Sequence, residues 1–120
     1  YDEPLMPKVI KLVRQCEISL QALPGLRRFA VVEDGDAVDV ACVAPPGLPL
    51  VVRCVEQATR KDHTALATMI SEGDFVYGAV VYEQGEPPHS PSLIESFHVS
   101  QLDQLVARLI ELREACGEAG

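Results

Sequence analysis

Apolar and polar positions follow two rhythms along this chain. Between Pro7 and Leu23 the apolar residues Val9, Ile10, Val13, Cys16, Leu20 and Leu23 recur near helical spacing, with Lys8, Lys11, Arg14, Gln15 and Glu17 between them. Pro7 suits a first turn and Pro24-Gly25 a stop, so the spacing predicts a helix over 7–23. Strand-like runs follow at Arg27–Glu33 and Ala37–Ala44, with the turn signal Asp34-Gly35 between them, and together they predict a hairpin. Pro45, Pro46, Gly47 and Pro49 interrupt the chain. The nearly unbroken apolar run Leu50–Val55 then predicts a central strand covered on both faces.

Helical spacing returns with Leu66, Met69 and Ile70, behind Thr59 or Asp62 as a cap and ahead of Gly73 as a stop. Residues 75–82, FVYGAVVY, predict another buried strand, 83–92 a Pro-rich loop, and 93–99 a short last strand. From Ser100 onward Leu102, Leu105, Val106, Leu109, Leu112 and Cys116 mark a closing helix, with Ser100 and Asp103 in a capping arrangement. The predicted order is helix, three strands, helix, strand, short strand, helix: an α/β domain with a central mixed sheet flanked by helices.

A length of 120 residues suits one domain, 1–120, and a 48% hydrophobic, 23% charged composition is that of a folded protein rather than a disordered or collagen-like one. No apolar run approaches the ~20 residues that cross a bilayer, and the start YDEPLMPKVIK lacks the apolar run of a signal peptide, so a cytoplasmic location without membrane attachment is expected. Because the first residue is Tyr1, the chain is expected to be processed or cut from something longer. A net charge of −8 disfavours a surface that binds DNA through phosphate contacts.

Asp39 changes the picture. It stands among Val38, Val40, Ala41 and Val43, where an ionised carboxylate is costly without a partner. One reading is catalytic; the other pairs Asp39 with Arg53 across adjacent strands as a structural ion pair. Glu17, Glu56 and Lys61 read by themselves as solvated surface charges. His63, His89 and His98 form no cluster in sequence and read as surface or half-buried side chains. Cys16, Cys42, Cys54 and Cys116 lack metal-ligand spacing and read as buried thiols, with a cross-strand contact of Cys42 and Cys54 open. Tyr77 and Tyr82 are explained by packing. The nucleophile elbow, the phosphate-cradling loop and the dinucleotide fingerprint are all absent.

The element order, with an acid in the second strand, resembles the restriction-endonuclease-like, or PD-(D/E)XK nuclease, superfamily over nearly the whole chain. In finer detail GDAVDV, LVVRCV, RKDHTALATMISEGDFVYGAVVYEQG and FHVSQLDQL look similar to the nuclease-like domain at the C-terminus of some prokaryotic ATPases, and to restriction enzymes that recognise modified DNA. The resemblance implies that Asp39 matches the family's first acid and that its acid-x-Lys pattern falls on Arg53-Cys54-Val55. Two of those three positions depart from the pattern. The family's chemistry needs paired carboxylates holding Mg²⁺ and a Lys near the attacking water, and Arg53 is neither a metal ligand nor a base.

Three functions follow as expectations. The leading one is a catalytically silent nuclease-fold domain that serves as a structural or protein-interaction module without a cofactor, through a protein partner or self-association. The second is a Mg²⁺-dependent nuclease with migrated residues: Asp39 and Glu56 as metal ligands and Lys61 assisting water, with Glu17 and Arg53 behind them. Glu56, three residues beyond Arg53, faces the other way in a regular strand. The third is an unrelated α/β binding domain with a pocket near the 83–92 loop.

Overall fold

The apolar run at 50–55 lies at the centre of a five-stranded sheet. A computed structural model of the chain describes residues 7–23, 25–34, 37–44, 47–85 and 94–119. Their order is α1 (Pro7–Leu20), β1 (Arg27–Asp34), β2 (Ala37–Ala44), β3 (Leu48–Gln57), α2 (Arg60–Ser71), β4 (Tyr77–Gln84), β5 (Glu95–His98), a 3-10 turn (Val99–Gln101) and α3 (Leu102–Ala119). The predicted order of elements is the observed one.

Strand order in the sheet is β1-β2-β3-β4-β5. β1, β2 and β3 form an antiparallel meander, whereas β4 runs parallel to β3 and β5 parallel to β4. A parallel neighbour needs a crossover, and α2 supplies it between β3 and β4. β3 therefore has partners on both edges, and with helices covering both faces every residue from Leu50 to Val55 is buried.

The period-two alternation of the strands sorts the core into two clusters. On one face Val40, Cys42, Leu50, Val52, Cys54, Ala79 and Val81 pack against Leu12, Cys16 and Leu20 of α1 and Leu102, Leu105 and Leu109 of α3. On the other, Val51, Val55 and Val80 pack with Leu66 of α2, joined by Met69 and Ile70. Gly78 lies under that helix, where an added Cβ would stand 3.4 Å from the side-chain ends of Ile70, Ile94 and Val51.

Several boundaries differ from those predicted. α1 ends at Leu20, yet Leu23 is buried because a turn, closed by Leu23 N–H to Leu20 C=O at 3.0 Å, carries it back into the core. β3 starts at Leu48 and includes Pro49, which precedes the first register pair with β4, Leu50↔Tyr77, so no ladder donor is lost there. The Pro49 carbonyl accepts from Val76 N–H at 2.9 Å, next to the first register pair Leu50↔Tyr77, and β4 begins at Tyr77. Glu83 and Gln84 extend β4 rather than opening the loop, and the positions 35 and 36 of the hairpin turn, and 86–93 of the Pro-rich loop, lie outside the described residues. The closing helix begins at Leu102, behind a 3-10 turn capped by His98 and Gln101: Gln101 Oε1 accepts from His98 N–H at 3.0 Å and His98 Nδ1 from Ser100 N–H at 3.1 Å. Among the described residues no helix is long and apolar enough to cross a membrane.

Candidate functional site

The antiparallel register places Asp39 of β2 opposite Arg53 of β3, on the face covered by α2. Burial leaves the two residues 5% and 3% exposed. Their contact is bidentate: Arg53 Nε donates to Asp39 Oδ1 at 2.7 Å and Nη2 to Oδ2 at 2.9 Å. A planar fork facing a carboxylate is the geometry in which this pairing is strongest, and both carboxylate oxygens are engaged by it.

A second carboxylate closes the cluster from above. Arg53 Nη1 stands 3.4 Å from Asp62 Oδ1, a charge contact at the long limit of a hydrogen bond. Asp62 occupies this place because it also caps α2: its Oδ2 accepts from Thr59 N–H at 2.9 Å and from the Thr59 hydroxyl at 3.1 Å. One carboxylate thus satisfies the helix start and faces the guanidinium beneath. Two acids and one arginine leave a local formal charge of −1, beside a helix N-terminus whose dipole favours negative charge.

The next residue links the cluster to the far strand. His63, 4% exposed, presents Nδ1 to the Thr59 carbonyl at 3.1 Å and Nε2 to Ser96 Oγ of β5 at 2.7 Å. A carbonyl only accepts, so Nδ1 carries the proton, and in the neutral ring Nε2 accepts from the serine hydroxyl. This corrects the reading of His63 as a surface or half-buried side chain; His98 is half-buried, and His89 lies outside the described residues.

The other candidate residues do not join Asp39. Strand alternation assigns half-buried Glu56 to the face of Val52 and Cys54, opposite Asp39 and Arg53. Lys61 is exposed on the first turn of α2. Glu17 lies across the sheet, lining a groove of about 590 Å³ with Arg14, Ile18, Leu26, Val40 and Cys42. Among the described residues no group of three or more His, Cys, Asp and Glu side chains is arranged to hold a metal ion. With both Asp39 oxygens on Arg53 and Glu56 on the other face, these residues do not fit the two-carboxylate Mg²⁺ site that the family resemblance implies.

The cysteines pair differently from the contact left open by the sequence. Cys42 stands opposite Leu50 and Cys54 opposite Val38, too far apart along the strands to touch. Cys54 meets Cys16 of α1 instead, and both are fully buried. The hydrogen bond with Cys16, then burial, then the nearby negative charges including Asp39 push the Cys54 thiol well above its ordinary range, so it stays protonated.

Sequence reasoning missed two participants. Asp62 carried a signal, the Thr59-x-x-Asp62 spacing of a helix start, but nothing in that spacing says what lies beneath the cap. Ser96 carried none, because its role depends on β5 lying beside β4 with Ser96 opposite Val80. No protein-family model and no curated protein matches the sequence.

Proposed function

We propose that the chain is a restriction-endonuclease-like domain whose catalytic centre has become a structural ion-pair cluster, and that it works as a structural or protein-interaction module. The observation that carries this reading is the bidentate Asp39–Arg53 pair. Arg53 stands where the family resemblance calls for a metal-binding acid, and it engages both oxygens of the one acid that is kept. The element order and the acid on β2 support the family; the substitution on β3 supports its silence. Asp62, the remaining acid of the cluster, is held by Thr59 and Arg53 and serves the helix start. A chain carrying −8 suits a basic protein surface, or an interface that neutralises its own charges, better than bare nucleic acid.

The test is calorimetric titration of the 120-residue chain with MnCl₂, alongside incubation with plasmid and single-stranded DNA in Mg²⁺ or Mn²⁺. Heat no larger than dilution and intact DNA are expected. Saturable Mn²⁺ binding, or cleavage that Asp39→Asn abolishes, would overturn the reading.

A further inference from the structure

β1 ends the sheet, with β2 on its inner side and no described strand on its outer side. An eight-residue edge is a template for another strand, and proteins usually blunt such edges with charge, proline or covering loops. Here the charges stand at the two ends, Arg27 and Arg28 and then Glu33 and Asp34, with a register shift between Arg28 and Ala30, and the apolar residues lie between them. Val31 and Val32, adjacent and therefore on opposite faces, are 43% and 54% exposed. Ile18, 68% exposed, lines the α1 groove together with Val40, the register partner of Val31. Three of the four large apolar side chains exposed among the described residues thus gather at one end of the molecule.

The sequence of this edge is charge-complementary to itself. β1 reads RRFAVVED, with two arginines at its start and two acids at its end. An antiparallel pair of identical strands related by a two-fold axis perpendicular to the sheet must oppose positions of the same face. Pairing with β2 defines those faces. Positions 28, 31 and 33 stand opposite 42, 40 and 38, while 27, 30, 32 and 34 stand opposite 43, 41, 39 and 37, with the register shifting between Arg28 and Ala30. A two-fold at Val31 then places Val31 against Val31 and Ala30 against Val32. With position 29 skipped as it is against β2, position 28 meets 33 and position 27 meets 34. Each arginine falls opposite an acid, and no position faces its own charge.

We propose that two copies of this chain pair antiparallel through β1 about Val31, joining two five-stranded sheets into one continuous sheet of ten. The valines form the dry centre of the seam and the arginine–acid pairs set its register. The arginines and acids of β1 sum to zero, so the seam is locally neutral although each chain carries −8. The pairing does not depend on the silence of the Asp39–Arg53 cluster, and the two readings fail in different experiments.

Sedimentation equilibrium or light scattering reads the mass of the 120-residue chain, with circular dichroism reporting its fold. The wild-type chain is expected at the mass of two copies. Val31→Lys sets two ammonium groups against each other at the axis, and Glu33→Arg or Arg28→Glu sets like charges opposite each other. Each is expected to raise the dimer dissociation constant at least about tenfold. An equimolar mixture of the Glu33→Arg and Arg28→Glu chains is expected to regain the two-copy mass, because only the mixed pair restores opposite charges at 28 and 33. The proposal is overturned if the wild-type chain stays single up to about 1 mM, the edge of meaningful association. It is equally overturned if the two charge variants stay paired by themselves, or if their mixture stays single. Should Val31→Lys fail to fold, the charge variants decide alone.

Discussion

Arg53 is the residue on which the candidate site turns. A buried guanidinium is expensive to desolvate, and Asp39 opposite it, with Asp62 above, compensates that cost through two short hydrogen bonds and one longer charge contact. The energetics of such pairs are asymmetric. Truncating one partner leaves the other charged and unpaired in the interior, whereas replacing both with apolar groups removes the penalty together with the attraction. Asp39→Ala is therefore expected to lower the unfolding free energy by about 3–5 kcal/mol. The double variant Asp39→Leu with Arg53→Met is expected to cost less than half as much. Urea denaturation of the two chains checks this, and equal losses would mean that the pair contributes more than mutual compensation.

The same residue shows how far the sequence could be read. Asp39 stood out because an acid among valines calls for a partner, and the spacing of the two strands made Arg53 a candidate opposite it. Asp62 was legible only as a helix cap. Its second role arises because α2 starts immediately after β3 and folds back over the same strand, which is a property of the crossover. The linear pattern around Thr59 does not contain it.

At the scale of elements, the connections between β4, β5 and α3 rest on side chains that cross between them. Tyr77 at the start of β4 donates its hydroxyl to Glu95 Oε1 of β5 at 2.7 Å, and Arg108 Nε of α3 donates to the same oxygen at 2.9 Å. Burial first, and then the hydrogen bond to Glu95, pushes the Tyr77 phenol well above its ordinary range. A phenol kept protonated in the folded chain ionises first in the unfolded one. The unfolded state thus binds fewer protons once the pH exceeds about 10, and stability falls as pH rises. The buried Cys54 thiol acts in the same direction from a lower pH. Tyr77→Phe is expected to flatten part of this alkaline loss and to cost about 0.5–1.5 kcal/mol at neutral pH through the lost hydrogen bond. Urea midpoints measured from pH 8 to 11 test it; an unchanged slope in Tyr77→Phe would show that other groups carry the alkaline sensitivity.

Periodicity located every α-helix and strand, though not the 3-10 turn before α3, because the period of two and the helical period are local properties of the chain. It misplaced ends where long-range contacts decide them. β4 starts where its register with β3 starts, at Leu50↔Tyr77, and β3 starts early because β2 offers it partners before β4 does.

For the molecule as a whole, a sheet with apolar clusters on both faces places three of its four thiols out of reach of solvent. Cys16, Cys42 and Cys54 are at most 2% exposed and belong to the same cluster between the sheet and the α1–α3 layer. Their reaction with a thiol reagent requires that layer to lift, so it is governed by opening of the core. In a Cys116→Ser background, labelling of the native chain is expected to be slower than labelling in urea by at least about a thousandfold. Fast labelling of any of the three would show that α1 detaches from the sheet independently of global unfolding.

Hydrophobic spacing was enough to establish the number, type and order of the elements, and the isolation of Asp39 was enough to mark where a charge needed explaining. Which strands lie side by side, what Asp62 faces, how His63 reaches Ser96 and which strands lie outermost among the described residues were decided by the folded sheet. Each of these is a relation between residues distant along the chain. Local propensity fixes the conformation of a segment, whereas burial and register, which choose its neighbours, come into being only when the segments pack.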